Sequence, residues 1–429
     1  MSPPLEIEAD ALDLARWIRP GDGVLFNQAC AEPVGLVDRL IEQSREIEDV
    51  RVFCGLTWRD VFAAPEADAL DVVSFGALGR LSRVAARRPV RIVPCHFSAL
   101  PGLFAARALP GDVALIQVAP PDAAGRCSLG VDVSYLADAL AHARVVIAEV
   151  NERMPATRGA WIDHEAIDVT VMTSRPLLEA PAGRATGTDD RIAEHVAGLI
   201  EDGDTLQIGV GALPEAILRR LHGATDLGIH SGMIGDAVAD LVEAGVITGA
   251  RKPADRGLIV TGAAIGSQRL FDFLEGREDV LMRPVSYTHR PETLAGIGRL
   301  VAINGGVEVD LTGQVNAEVA AGRHVGAVGG QVDFLRGAAA GGGLGIVALP
   351  SVVAKGGATR IVAALSGPVT TARGDVDVVV TEHGVAHLRG LDLEQRAAAL
   401  IAVAAPEHRD DLARAAAQRG GGEPIVSRR

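Results

Sequence analysis

The chain has 429 residues, more than one hydrophobic core usually serves, and suits two domains of about 200 residues each. Hydrophobic residues make up 48% and charged residues 22%, a balance that excludes a disordered chain. The 41 basic and 55 acidic residues leave a net charge of −14, which argues against a nucleic-acid surface but allows a small anionic ligand at a helix N-terminus.

Taken in order, short apolar runs alternate with amphipathic stretches. GDGVLFNQ (21–28) reads as a turn and a strand, and Val34 to Gln43 carries apolar residues at helical spacing. VRVFCGL (50–56), VRIVPCHF (90–97), DVALIQVAP (112–120) and ARVVIAEVN (143–151) are further strands. Such unbroken Val/Ile/Leu runs fit parallel strands covered by helices on both faces. With aromatics at only 3% and 50 glycines, the expected fold is α/β, with an aliphatic core and many tight strand-to-helix turns.

SRPLLEAPAGRATGTDD (174–190) has no period and reads as a linker, which places one domain over 1–180 and a second over 190–429. A helix is expected from Arg191 to Ile200, a strand at DTLQIGVG (204–211), and helices at Leu213 to Leu221 and Asp236 to Glu243. Strands follow at 257–263, 305–311, 345–351, 359–365 and 375–382, then a helix from Leu393 to Ala404 and a frayed tail. Cys30, Cys54, Cys95 and Cys127 show no CxxC spacing and read as small buried hydrophobes. The N-terminus lacks a signal-peptide pattern and no apolar run reaches about eighteen residues. A cytoplasmic protein without a membrane span is expected.

Seven segments carry a resemblance in one order: ACAEPVGLVDRL (29–40), VAPPDAAGRCSLGVDVSYLADAL (118–140), ARVVIAEVNERMP (143–155), EDGDTLQIGVGALPEAIL (201–218), LGIHSGMIGDAVADLVEAGVITGARK (227–252), GQVNAEVAAGRHVGAVGGQVDFLRGA (313–338) and VTTARGDVDVVVTEHGVAHLRG (369–390). Together they resemble the acetyl-CoA hydrolase/transferase family, and within it the 4-hydroxybutyrate CoA-transferase type. The resemblance implies two open α/β domains of the CoA-transferase type with the active site at their interface. It also implies coenzyme A as a substrate with no permanently bound cofactor, a small carboxylate as second substrate, and a homodimer or higher homo-oligomer. In the family a glutamate of the motif H-[ST]-E-M attacks the thioester and carries CoA. Here the motif reads His230-Ser231-Gly232-Met233, so the nucleophile is absent.

The remaining site residues follow from the same matches. Gly329 and Gly330 match the glycine turn whose backbone N–H approaches the acyl oxygen, with Gln331 beside it. Asn316 matches an asparagine near the reacting carboxylate, and Glu382 is the best remaining carboxylate and candidate base. Asn151 and the turn Pro120-Pro121-Asp122 match the first domain's share of the cleft, while Gly209 and Gly211 mark a phosphate-binding turn.

GVGALPEAI lacks the third glycine of a dinucleotide fingerprint, so that reading is rejected. His383 and His387 have i,i+4 spacing but no third ligand, so no metal is expected. Ser231 lies outside a nucleophile elbow and reads as a strand-end turn. Three functions remain open: acyl-CoA transfer or hydrolysis without a covalent carboxylate, a non-catalytic acyl-CoA-binding protein, and a re-purposed acyl-CoA cleft. If the rest of the cleft is intact, Gly232→Glu is expected to gain transferase activity.

Overall fold

The computed structural model describes residues 3–354 and 357–420. Two eight-stranded sheets organise them. The first runs, edge to edge, through Leu5–Glu6, Val169–Thr173, Val145–Asn151, Val113–Val118, Gly23–Phe26, Arg51–Phe53, Asp71–Ser74 and Arg91–Ile92, all parallel. The second runs through Val280–Met282, Ile259–Ala264, Gly228–Ile234, Thr205–Ile208, Leu300–Asn304, Leu344–Ala348, Val378–Thr381 and Gly384–His387. Only the last of these pairs antiparallel.

The alternation of side chains along each strand explains the unbroken apolar runs. Val24 and Phe26 face one apolar layer and Leu25 the other; Val113 and Leu115 oppose Ala114 and Ile116 in the same way. The layer holding Leu25 and Ile116 also takes in Leu206, Ile208 and Ile303 from the second sheet, so the halves share one core. Backbone bonds reinforce the junction: Val133 N–H donates to Gly262 O at 2.9 Å and Ala264 N–H to Val131 O at 2.8 Å.

In each sheet the chain builds outward from a central strand and then returns to its other side. The reversals lie between Gly23–Phe26 and Val113–Val118, and between Thr205–Ile208 and Leu300–Asn304. Crevices at the carboxyl ends of such reversals are where open α/β sheets bind ligands.

Several expectations shift. The segments 305–311 and 359–365 form Glu308–Asp310 and Ile361–Val362 of a separate three-stranded sheet, outside the main one. The helix expected from Arg191 is Gly187–Ala197, starting earlier because Thr186 and Asp189 form a capping box. Ser231 is no turn residue: it lies within the strand Gly228–Ile234, fully buried, and donates to Ile208 O at 3.0 Å. His383 precedes and His387 ends the strand Gly384–His387, so they cannot share a helix face, and the described residues hold no cluster of metal-ligand type. Cys30, Cys54 and Cys127 are buried and Cys95 partly so, all four free. The expected frayed tail lies largely outside the described residues.

Phe53, fully buried, sets its ring edge-on against Phe104 at 5.1 Å and Tyr135 at 5.3 Å. Phe53→Ala should cost about 3–5 kcal/mol through the cavity it opens. Urea unfolding measures this, and an unchanged midpoint would show that the triad does not hold the first sheet's covering layer.

Candidate active site

A cavity of about 310 Å³ lies where the carboxyl ends of the two sheets meet. Gly209 follows the strand Thr205–Ile208 and Asn304 ends Leu300–Asn304, so the cavity opens at the second sheet's reversal. Gln28, Phe75 and Phe97 close it from the first half. Among the described residues no Asp, Glu, Lys or Arg lines it.

The glycine turn reaches the cavity because the first half holds it there. Ala77 N–H donates to Gly326 O at 3.0 Å and Phe97 N–H to Gly329 O at 2.9 Å. Gly329 has φ +56, a conformation glycine adopts without strain. Gly330 then caps the helix Gln331–Ala340, and its N–H has no acceptor among the described residues. Asp333, in the first turn, accepts from Ser98 N and Oγ at 3.1 and 2.7 Å. The start of this helix therefore presents free N–H groups and a positive dipole end to the cavity.

His289, which the sequence reading did not single out, also lines the cavity. It directly follows the short helix Val285–Thr288 and is 3% exposed. A Cβ on Gly232 would lie 2.9 Å from His289 Cε1 and 3.1 Å from Nε2; one on Gly330 would lie 2.6 Å from Nε2. The imidazole thus occupies the volume that side chains at both positions would need. Phe334 and Phe97 flank the ring, with centroids at 4.6 and 5.0 Å. Nδ1 is 2.9 Å from Thr288 Oγ1, which lies 3.2 Å from Pro284 O. With the hydroxyl proton directed to Pro284 O, Thr288 Oγ1 accepts from Nδ1–H and the Nε2 lone pair is free; with it directed to Nδ1, Nε2 carries the proton. Burial, and then the His230 imidazole, push His289 down to about 3. His230 is itself held at about 4, by burial and then by Lys252, while its Nε2 meets Thr288 O at 3.0 Å.

The residues singled out in the sequence divide in two. Gly209, Gly232, Gly329, Gly330 and Gln331 meet at this cavity. Gly211, Asn151, Asn316 and Glu382 do not line it. Gly211, at φ +119, caps the helix Ala212–Arg219. Asn151 donates to Gln117 Oε1 at 2.6 Å and to Arg175 O at 2.9 Å, which commits its buried amide within the first half. Asn316 does meet a carboxylate, but that of Glu308 at 3.1 Å, and its Oδ1 accepts from Glu318 N and Val319 N. Both Glu382 oxygens are taken by Ser351, from N and Oγ at 2.8 Å each. Pro120 and Asp122 stand in an exposed turn closed by Arg126, away from this cavity.

The comparisons agree with this geometry. The model of the acetyl-CoA hydrolase/transferase N-terminal domain matches residues 8–175, and that of the C-terminal domain matches residues 266–416. The chain belongs to this family. It is 46% identical over 323 residues to a 4-hydroxybutyrate coenzyme A transferase of Clostridium kluyveri, covering 74% of this chain and 75% of that one. It is 37% identical to a succinyl-CoA:acetate/propanoyl-CoA:succinate CoA transferase of Fasciola hepatica, over 94% and 86% of the two chains. The crystal structure of RipA from Yersinia pestis superposes with a TM-score of 0.91 at 33% identity, covering 97% of this chain and 98% of that one. The family comprises CoA-transferases and acetyl-CoA hydrolases, and the chain is an enzyme of that kind.

The buried imidazoles make stability depend on pH. With the folded His289 near 3 against 6.5 unfolded, only the unfolded chain takes up this proton between those values. The contribution is complete above 6.5 and is lost as pH falls towards 3. Asp132, pushed up to about 6 by burial, acts in the opposite sense. Comparison with His289→Asn cancels it. The stability difference between wild type and that variant should move against the wild type by on the order of 2 kcal/mol between pH 7 and 5. Urea unfolding at both pH values reads this out, and a constant difference would mean that the ring protonates within the fold.

Proposed function

We propose that this chain acts on acyl-CoA thioesters carrying a small apolar acyl group, and that the thioester is attacked directly rather than through an enzyme-bound glutamyl-CoA. The observation that carries this reading is the pairing of Gly232 with His289: where the resemblance puts a nucleophilic glutamate stands a glycine, and a Cβ there would lie 2.9 Å from His289 Cε1. Neither Glu382 nor any other described carboxylate lines the cavity to take its place. The attacking oxygen belongs instead to water or to a small carboxylate. The Gly330 N–H, at the cavity wall with the helix start behind it, is the group we assign to the oxyanion of the tetrahedral intermediate.

The lining sets the acyl class. Leu56, Phe75, Met233, Ile265 and Phe334 surround the space, with no cation to pair a second carboxylate. A buried, unpaired charge is costly, so acetyl, propionyl and butyryl groups fit and a succinyl group does not. We read residues 1–180 and 190–429 as the two domains that close on this site.

Butyryl-CoA should give free thiol, or a new acyl-CoA when acetate is present, with no adduct trapped on a glutamate by borohydride. Succinyl-CoA should react at least about tenfold more slowly, following the cost of an unpaired buried charge. Neither product, together with no measurable acyl-CoA binding, would sink the reading.

Gly232→Glu on its own should gain no transferase activity, contrary to the simple expectation from the motif. Its Cβ would press on His289 Cε1 at 2.9 Å, and overpacking of this kind costs about 1–3 kcal/mol. Acyl-CoA assays and thermal unfolding check both parts; a transferase-active, undisturbed variant would show that the imidazole moves aside freely.

A further inference from the structure

Resting on the acyl-CoA reading above, we infer that His289 Nε2 is the general base that takes a proton from water as the water attacks the thioester carbonyl, which makes hydrolysis the activity of this cavity. The argument is one of geometry and elimination. Of the side chains lining the cavity, most are apolar or are amides that cannot take a proton at neutral pH. The Ser231 hydroxyl is engaged on both sides, donating to Ile208 O at 3.0 Å and accepting from Ile208 N at 3.4 Å. Gln207 and Asn304 bond each other, the Asn304 amide donating at 2.8 Å. His289 Nε2 has no hydrogen-bond partner among the described residues, and the tautomer with the proton on Nδ1, which this role requires, frees its lone pair. Nε2 itself is not fully enclosed and opens on the cavity, where a substrate water reaches it.

Its position fits the reaction. Nε2 stands 2.6 Å from where a Cβ on Gly330 would be, so the base lies against the Gly330 backbone at the cavity wall. An acyl carbonyl placed with its oxygen at the Gly330 N–H has its carbon within reach of a water held by Nε2. The Nδ1 hydrogen bond to Thr288 and the rings of Phe97 and Phe334 fix the imidazole plane. Orienting a neutral imidazole through its other nitrogen is how such a base is held ready.

The step balances without a further reactant. The water oxygen bonds to the acyl carbon while its proton passes to Nε2, and the carbonyl electrons become the oxyanion. When the oxyanion collapses, the C–S bond breaks and the CoA thiolate takes the proton from Nε2. The products are a carboxylic acid, which ionises to solvent, and free CoA. Burial keeps the resting ring unprotonated, and the imidazolium exists only while the oxyanion beside it supplies a counter-charge.

The test uses the full-length protein and butyryl-CoA, with released thiol followed by a thiol reagent and binding followed by calorimetry. Wild type should release thiol without an added carboxylate. His289→Asn, which keeps an amide for Thr288, and His289→Ala should bind butyryl-CoA within threefold of wild type yet lose about 10²–10⁴ in kcat. Added imidazole should restore at least tenfold of the loss in the alanine variant, which leaves room for it, and not in the asparagine variant. Undiminished thiol release by either variant would overturn the inference while leaving the acyl-CoA reading intact. So would new acyl-CoA formed from acetate with no thiol release by the wild type. Absence of both products and of binding would overturn the reading and the inference together.

Discussion

Two glycines without Cβ atoms leave a gap at the junction of the sheets, and one imidazole fills it. Everything distinctive about this site depends on that fit. Gly232 comes from a strand, Gly330 from a helix cap and His289 from the end of a short helix, so three separate elements must converge to within van der Waals contact. The convergence makes a side chain at residue 232 and the His289 ring mutually exclusive unless one of them moves. A side chain at residue 232, where the resemblance puts a glutamate, therefore meets space already taken by a group of different chemistry.

The fold brings these elements together through its two sheet reversals. Both sheets turn their carboxyl ends to a common junction, and the turn 326–330 from the second half is held by backbone bonds to the first. Those bonds fix where the free N–H of Gly330 points. The shared apolar layer that joins the halves continues into the cavity wall, with Met233 and Ala327 belonging to the second half and Phe97 to the first. Apolar surroundings of this kind strengthen every electrostatic contact made inside. They also explain why His230 and His289 both remain neutral, since burial is the first cause in each case.

Much of the fold was legible in the residues, because strands buried on both faces must be continuously apolar. Val113–Val118 and Val145–Asn151 stood out for that reason. Gly228–Ile234 did not, because His230, Ser231 and Gly232 interrupt its apolar run. Those polar groups are tolerated because Ser231 bonds Ile208 and His230 bonds Thr288, partners distant in sequence. The site was legible where glycine itself is the signal, at Gly209, Gly232, Gly329 and Gly330. It was not legible at His289, a lone histidine in YTHRPET whose place beside Gly232 and Gly330 appears only when three elements meet. Asn316 and Glu382 matched family positions, yet their hydrogen bonds are spent on Glu308 and Ser351.

The absence of charge at the cavity wall bears on the direction of any reaction there. A thioester carbonyl is neutral and loses little on entering an apolar space, whereas a carboxylate loses its hydration and finds no cation among the lining residues. The helix start offers only the partial positive charge of its free N–H groups. A transferase must bind a carboxylate acceptor in the same place where its acyl-CoA reacts. A hydrolase needs only to let a carboxylate leave, and an uncharged wall favours that departure. On the proposed reading, a neutral imidazole at this position, rather than a lysine or arginine, leaves nothing in the lining to hold the departing carboxylate.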